Sequence, residues 1–196
     1  METRGVLKER ALASLKGNWG TAIVAFIIYA VVACLAGFIP VVGFISFIIT
    51  IPLGWGFTVF FLRFIRKEDS GFAHLFDGFS DYFRILLTQI LTNLYICLWS
   101  LLLIVPGIIK GYSYAMTPFI LRDRGELQYN GAIEESMRMM DGHKMELFIL
   151  DLSFIGWALL CILTLGIGFL WLTPYIQTTR AQFYESLKAE QEPVAE

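Results

Sequence analysis

Few residues in this 196-residue chain combine the type and the setting for chemistry, and they are scattered. Asp151 is the only acidic residue inside a long apolar stretch. A carboxylate near the centre of a helix in hydrocarbon costs roughly 2.5–3.5 kcal/mol, so it demands a partner or a task. If the chain folds back near Leu165, the position level with Asp151 is about Thr179, beside Arg180. This predicts an Asp151–Arg180 ion pair, buttressed by Thr178 or Thr179. The sharper alternative is a proton or cation relay through Asp151, although no second acid or histidine stands at its depth. Gln89 and Asn93 are four residues apart on one helical face, with Thr92 adjacent. Such side chains either hydrogen-bond neighbouring helices, each for about 0.6–2 kcal/mol, or line a pore. Lys110 is expected to snorkel to the outer interface and not to reach Asp151. An anion site beside Tyr112 and Tyr114 is its functional alternative.

Other chemistry is poorly provided for. His74 and His143 occupy separate polar stretches without a second ligand at metal spacing, so neither a metal nor a cofactor is expected. Cys34, Cys97 and Cys161 lie in apolar runs, where a thiolate is disfavoured, and read as small apolar filler. The sequence holds no glycine-rich phosphate loop, serine elbow or paired-carboxylate motif, so the expectation is a protein that is not an enzyme. A net charge of −2 argues against a nucleic-acid partner.

The elements that must position these residues follow from hydropathy. Apolar residues make up 57% of the chain and charged ones 16%, with a mean hydropathy of +0.65, which places it on the membrane side of both averages. Six spans are expected: Gly20–Ile39, Phe44–Leu62, Ile85–Val105, Ile108–Leu121, Leu147–Thr164 and Ile167–Thr179. The fourth and sixth are short. Fourteen of the fifteen Lys and Arg residues fall before span one, between spans two and three, between four and five, or after six. The turns around Pro40, Pro106 and Gly166 hold none. By the positive-inside rule this puts both termini in the cytoplasm and leaves three nearly loopless outer hairpins.

The hairpins resemble copies of one unit. Each follows a Lys-Gly or Asp-Gly pair at Gly17, Gly78 or Gly142, turns at Pro or Gly, and has a proline in its second helix (Pro52, Pro118, Pro174). Each second helix leaves at an arginine: Arg63, Arg122 or Arg180. Amphipathic lead-in helices are expected to lie in the cytoplasmic interface, with apolar stripes at Leu7, Ala11, Leu12, Leu15 and Trp19, at Phe72, Leu75, Phe76, Phe79 and Phe83, and at Ile133, Met137 and Met140. The expected fold is therefore all-α: one six-helix membrane domain over residues 1–188, built from three helical hairpins, then a short disordered acidic tail at 189–196.

Leu15-Lys16-Gly17-Asn18-Trp19, Pro106-Gly107-Ile108-Ile109-Lys110 and Asp141-Gly142-His143-Lys144 occur in order, followed by Leu152-Ser153-Phe154-Ile155-Gly156-Trp157, Thr164-Leu165-Gly166-Ile167-Gly168 and Pro174-Tyr175. Together they resemble an uncharacterised bacterial integral membrane family, domain of unknown function 975. That family is similar to the membrane region fused to some glycerophosphodiester phosphodiesterases, whose catalytic domain has no counterpart here. The resemblance implies a bacterial plasma-membrane protein with no assigned reaction. The functional expectation is a non-catalytic membrane protein whose partners are lipids, another membrane protein or further copies of itself. The alternative is a small-solute or ion transporter with a polar path near Asp151.

Overall fold

The computed structural model describes residues 3–37, 43–69 and 71–191. Long uncharged runs become helices because a continuous apolar surface needs every backbone group bonded within the segment. The elements are α1 (Arg4–Leu15), α2 (Trp19–Gly37), α3 (Gly43–Ile65), a 3₁₀ helix (Phe72–Phe79), α4 (Tyr82–Leu102), α5 (Ile104–Ser113), α6 (Thr117–Asp123), α7 (Asn130–Met139), α8 (Lys144–Leu163) and α9 (Phe169–Gln191). The described residues are thus all-helical in architecture. Four of these helices, α2, α3, α4 and α8, are long and apolar enough to cross a membrane, which suits a membrane protein. The expected turn at Pro40 lies outside the described residues.

The fourth expected span is not one helix. It breaks at Tyr114–Met116 into α5 and α6, because Pro118, which has no N–H to give, fits the first turn of a new helix better than the interior of an old one. The break is buried, and its exposed backbone groups are satisfied from α7. The Ser136 hydroxyl accepts from the Met116 N–H at 3.2 Å and donates to the Ser113 carbonyl at 2.9 Å. Trp55 Nε1 donates to the Pro118 carbonyl at 3.0 Å, tying α3 to the same corner.

The stripe at Phe72–Phe83 also departs from expectation. In a 3₁₀ helix positions three apart share a face, so Phe72, Leu75 and Gly78 lie towards α3, with Phe72 stacked on Phe60 at the edge, while Phe76 and Phe79 turn outward. Phe83, at the start of α4, is likewise exposed. The approach to α3 is backbone to backbone: a Cβ built on Gly78 would stand 2.2 Å from the Pro52 carbonyl oxygen, and one on Gly56 2.1 Å from that of Leu75. By contrast, α1 buries Leu7, Ala11 and Leu15, and α7 buries Ile133 and Met139 with Met140 just after it. Leu12 and Met137 are less covered than their stripes imply.

Two apolar clusters form the interior. The larger joins α3, α6, α7, α8 and α9 through residues such as Trp55, Phe119, Met139, Leu150 and Tyr184. The smaller packs Leu15, Ala22, Ala25, Phe57, Phe60, Phe61 and Leu75. At the hairpin tips the chains cross at small residues. A Cβ on Gly107 would meet Ser100 Oγ at 2.2 Å, and one on Gly168 would meet Cys161 Sγ at 2.6 Å, the same seven-residue spacing in both. Cys161 thus fills space as expected, whereas Cys34 and Cys97 are exposed and pack nothing behind them. Helix α9 continues through Gln191, with Leu187 buried and Lys188 ion-paired to Asp123, and residues 192–196 of the expected tail lie outside the described residues.

Ser136→Ala leaves a buried N–H and a buried carbonyl with no partner at the α5–α6 break. The expected loss is about 1–3 kcal/mol of stability, read as a lower denaturation midpoint in detergent micelles, while an exposed control such as Glu134→Ala stays at the wild-type midpoint.

Candidate functional site

Asp151 lies on α8 two turns from its start, and Arg180 on α9 is brought level with it by the α8–α9 turn. That turn closes at Leu165 and Gly166, both with positive φ (53° and 87°). Arg180 grips the carboxylate with two donors, Nη2 to Oδ2 at 2.8 Å and Nε to Oδ1 at 3.2 Å. The bidentate geometry makes this a strong charge-assisted pair. The threonines do not buttress it: Thr178 Oγ1 donates to the Pro174 carbonyl and Thr179 Oγ1 to that of Tyr175, as β-hydroxyls inside helices commonly do. The third partner is Tyr112 from α5, whose hydroxyl donates to Asp151 Oδ2 at 3.4 Å.

The pair borders a laterally open cleft of about 660 Å³, walled by Ile96 and Ser100 of α4, Gly107 and Gly111 of α5, and Phe148 of α8. Gln89, Asn93 and Lys110 do not line it. Asn93 is exposed on α4 and Gln89 half-buried, so the polar residues of the apolar stretches do not converge. Lys110 does not run free to an interface either. Its ammonium lies 5.2 Å from the Trp99 ring centroid and 5.9 Å from that of Tyr114, with Met137 Sδ at 3.8 Å. Cation–π attraction to these rings holds a charge that the short helix α5 cannot carry further.

All three exit arginines have acidic partners: Arg63 with Asp77 at 2.7 Å, Arg122 with Glu68 at 3.3 Å, and Arg180 with Asp151. The Nδ1 atoms of His74 and His143 likewise lie against carboxylates, Asp77 at 2.9 Å and Glu146 at 3.0 Å. Among the described residues no group of three His, Cys, Asp or Glu side chains is placed to hold a metal.

The most elaborate polar assembly is one that span-by-span reading misses. Asp123, at the end of α6, is 8% exposed and receives both Nη atoms of Arg66 at 2.6 Å, the Tyr184 hydroxyl at 3.0 Å and Lys188 Nζ at 3.1 Å. Arg66 Nε also donates to Glu185 at 2.8 Å. Burial opposes ionisation of Asp123, yet the hydrogen bonds and charges of Arg66 and Lys188 win and hold its carboxyl at about 2. Burial and the Asp123 charge push the Tyr184 hydroxyl well above its ordinary value, so it remains a donor. The only sequence signal was the adjacency of Arg122-Asp123 to a span end.

Residues 100–191 match the family model of DUF975, a protein of unknown function. No curated protein and no solved structure matches the chain. The DUF975 match contains Tyr112, Asp123, Ser136, Asp151 and Arg180, together with Lys110 and Thr179. Gln89, Asn93 and Arg66 lie outside it, as does the Leu15–Trp19 motif.

Two predictions follow from these charges. Asp151 is 18% and Arg180 41% exposed, so the pair stands between a surface bridge and a buried one. Arg180→Ala should cost on the order of 1–3 kcal/mol, and Asp151→Asn in the same chain should recover part of that loss, as a double-mutant cycle in detergent would measure. The Asp123 carboxyl is depressed from 3.8 in the unfolded chain to about 2 in the folded one. Its contribution is therefore complete above 3.8 and disappears as pH falls towards 2. An Asp123→Asn variant is expected to lose stability at neutral pH and to show a flatter decline across that window in an acid titration of the denaturation midpoint.

Proposed function

We propose that this chain is a non-catalytic integral protein of the bacterial plasma membrane, acting through its contacts with lipid or with another membrane protein, a second copy included. On this reading α2, α3, α4 and α8 span the bilayer. The α5–α6 pair and the first half of α9 complete the second and third hairpins, giving six crossings with both termini in the cytoplasm. The likeness to the membrane region of glycerophosphodiester phosphodiesterases belongs to the same reading. It is supported by the outward-facing Leu101–Val105 tip and by Leu152, Ile155, Leu159 and Leu163 along α8, an apolar surface that water would not tolerate. The observation that carries the non-transporting reading is the Asp151–Arg180 pair: its charges are spent on each other and on the Tyr112 hydroxyl, and Gln89, Asn93 and Lys110 do not line the cleft beside it. The second reading, a small-solute or ion transporter, rests on the cleft that reaches this pair from the side.

Proteoliposomes carrying the purified protein separate the two. Ion and proton flux should equal that of protein-free vesicles and should not change with Asp151→Asn. Flux that scales with protein and falls by roughly a hundredfold or more, the size of a proton-transfer contribution, in that variant would install the transport reading. Orientation is checked with Arg124→Cys and Leu165→Cys in a chain whose three native cysteines are replaced. The two thiols are expected to be labelled from opposite faces of the membrane, and labelling from one face overturns the six-crossing arrangement.

A further inference from the structure

A second cavity lies away from Asp151. It measures about 470 Å³, and its wall is almost wholly apolar, with Trp19 at the start of α2, Leu12 from α1, Trp157 and Leu160 from α8, and Trp171 and Tyr175 from α9. Volumes of this size accommodate small organic ligands. The Asp151 cleft contributes none of these residues. Three indoles facing one groove form a rigid apolar wall that neither the α8–α9 hairpin nor α1 fills.

No basic residue lines the groove itself, but cations stand next to it on α1. Lys8 stands one helical turn before Leu12, on the same side of α1, and its ammonium lies 4.3 Å from the centroid of the Phe154 ring. Phe154 in turn packs edge-on against Tyr175 of the groove wall, with centroids 5.2 Å apart. Arg4, one turn earlier on α1, repels Lys8, and this repulsion adds to the burial that already lowers the lysine's pKa. Among the described residues no carboxylate forms an ion pair with Lys8. By contrast, Arg63, Arg66, Arg122, Arg124, Arg138, Lys144, Arg180 and Lys188 are each matched with an acid. An apolar groove with a partly desolvated cation next to it complements an amphiphile that has an alkyl chain and an anionic head.

We propose that the groove between α1 and the α8–α9 hairpin binds an anionic phospholipid, with one acyl chain against Trp19, Trp157 and Trp171 and the headgroup held by Lys8 and Arg4. The chain supplies the apolar burial, and the phosphate relieves the repulsion between the two cations. The site fixes α1 to the hairpin through a lipid as well as through their direct packing, and it gives the protein a means of sensing the anionic content of its leaflet. This rests on the reading that α8 and α9 lie in lipid.

The test is tryptophan fluorescence in phosphatidylcholine nanodiscs containing a small fraction of lipid with brominated acyl chains, which quench indoles on contact. At equal mole fraction, brominated phosphatidylglycerol is expected to quench more than brominated phosphatidylcholine. Each cation near an anionic headgroup is worth about fivefold in occupancy, so Lys8→Gln with Arg4→Gln should remove the preference while Lys8→Arg retains it. Arg4 is exposed and Lys8 half-buried on α1, and circular dichroism verifies that the helices persist. Equal quenching by the two lipids overturns the proposal, as does a preference that survives the double substitution. Failure of the protein to enter nanodiscs at all would instead sink the membrane reading, a separate outcome.

Discussion

The Asp123 carboxylate is where the polar end of the molecule is held together. It closes α6, yet its donors come from the residue just after α3 and from the second half of α9, so three segments far apart in sequence converge on two oxygen atoms. A buried carboxylate is costly unless every lone pair is used, and here two guanidinium nitrogens, a phenol and an ammonium use them. Glu185 then balances the remaining face of Arg66. Remove this knot and the apolar cluster above it, which runs through Phe119 and Tyr184, loses the restraint that sets how α3, α6 and α9 lie against one another.

Polarity is distributed by the ends of the fold. Ion pairs collect where the arginines leave the second helices, and the opposite ends, at Leu101–Val105 and Leu163–Ile167, carry exposed apolar side chains on tight turns. Asp151 lies between these regimes. Its charge is tolerable because Arg180 arrives at the same level with two donors, and Tyr112 adds a third from the adjacent helix. The cleft beside the pair and the indole-walled groove are different kinds of space: one reaches a neutralised pair, the other is almost wholly apolar with Lys8 held nearby on the Phe154 ring.

What sequence reasoning could reach was set by distance along the chain. The long helices α2, α3, α4 and α8 are legible because a charge-free run of some twenty residues has few alternatives to a helix. The Asp151–Arg180 pair is legible because hairpin register is arithmetic over 29 residues with a Gly turn near the middle. The Asp123 knot is not, since its partners lie 57 and 65 residues away and only tertiary closure brings them together. Two local misreadings have local causes. Pro118 starts a helix instead of interrupting one, because a hydroxyl from α7 supplies what the broken backbone lacks. The phenylalanine stripe assumes a period of 3.6, whereas the segment winds with a period of three and presents Leu75 and Gly78 to α3.

The α5–α6 break also imposes an order on how the chain is made. Ser136 follows Met116 by twenty residues, so during synthesis the corner exists before the hydroxyl that completes it. Until α7 docks, the Met116 amide and the Ser113 carbonyl must bond to water or to transient neighbours. The α5–α6 corner thus reaches its dry, final form only after the residues of α7 have emerged from the ribosome. Folding of this part of the protein is accordingly a joint event between the α5–α6 corner and α7, not the completion of one segment after another.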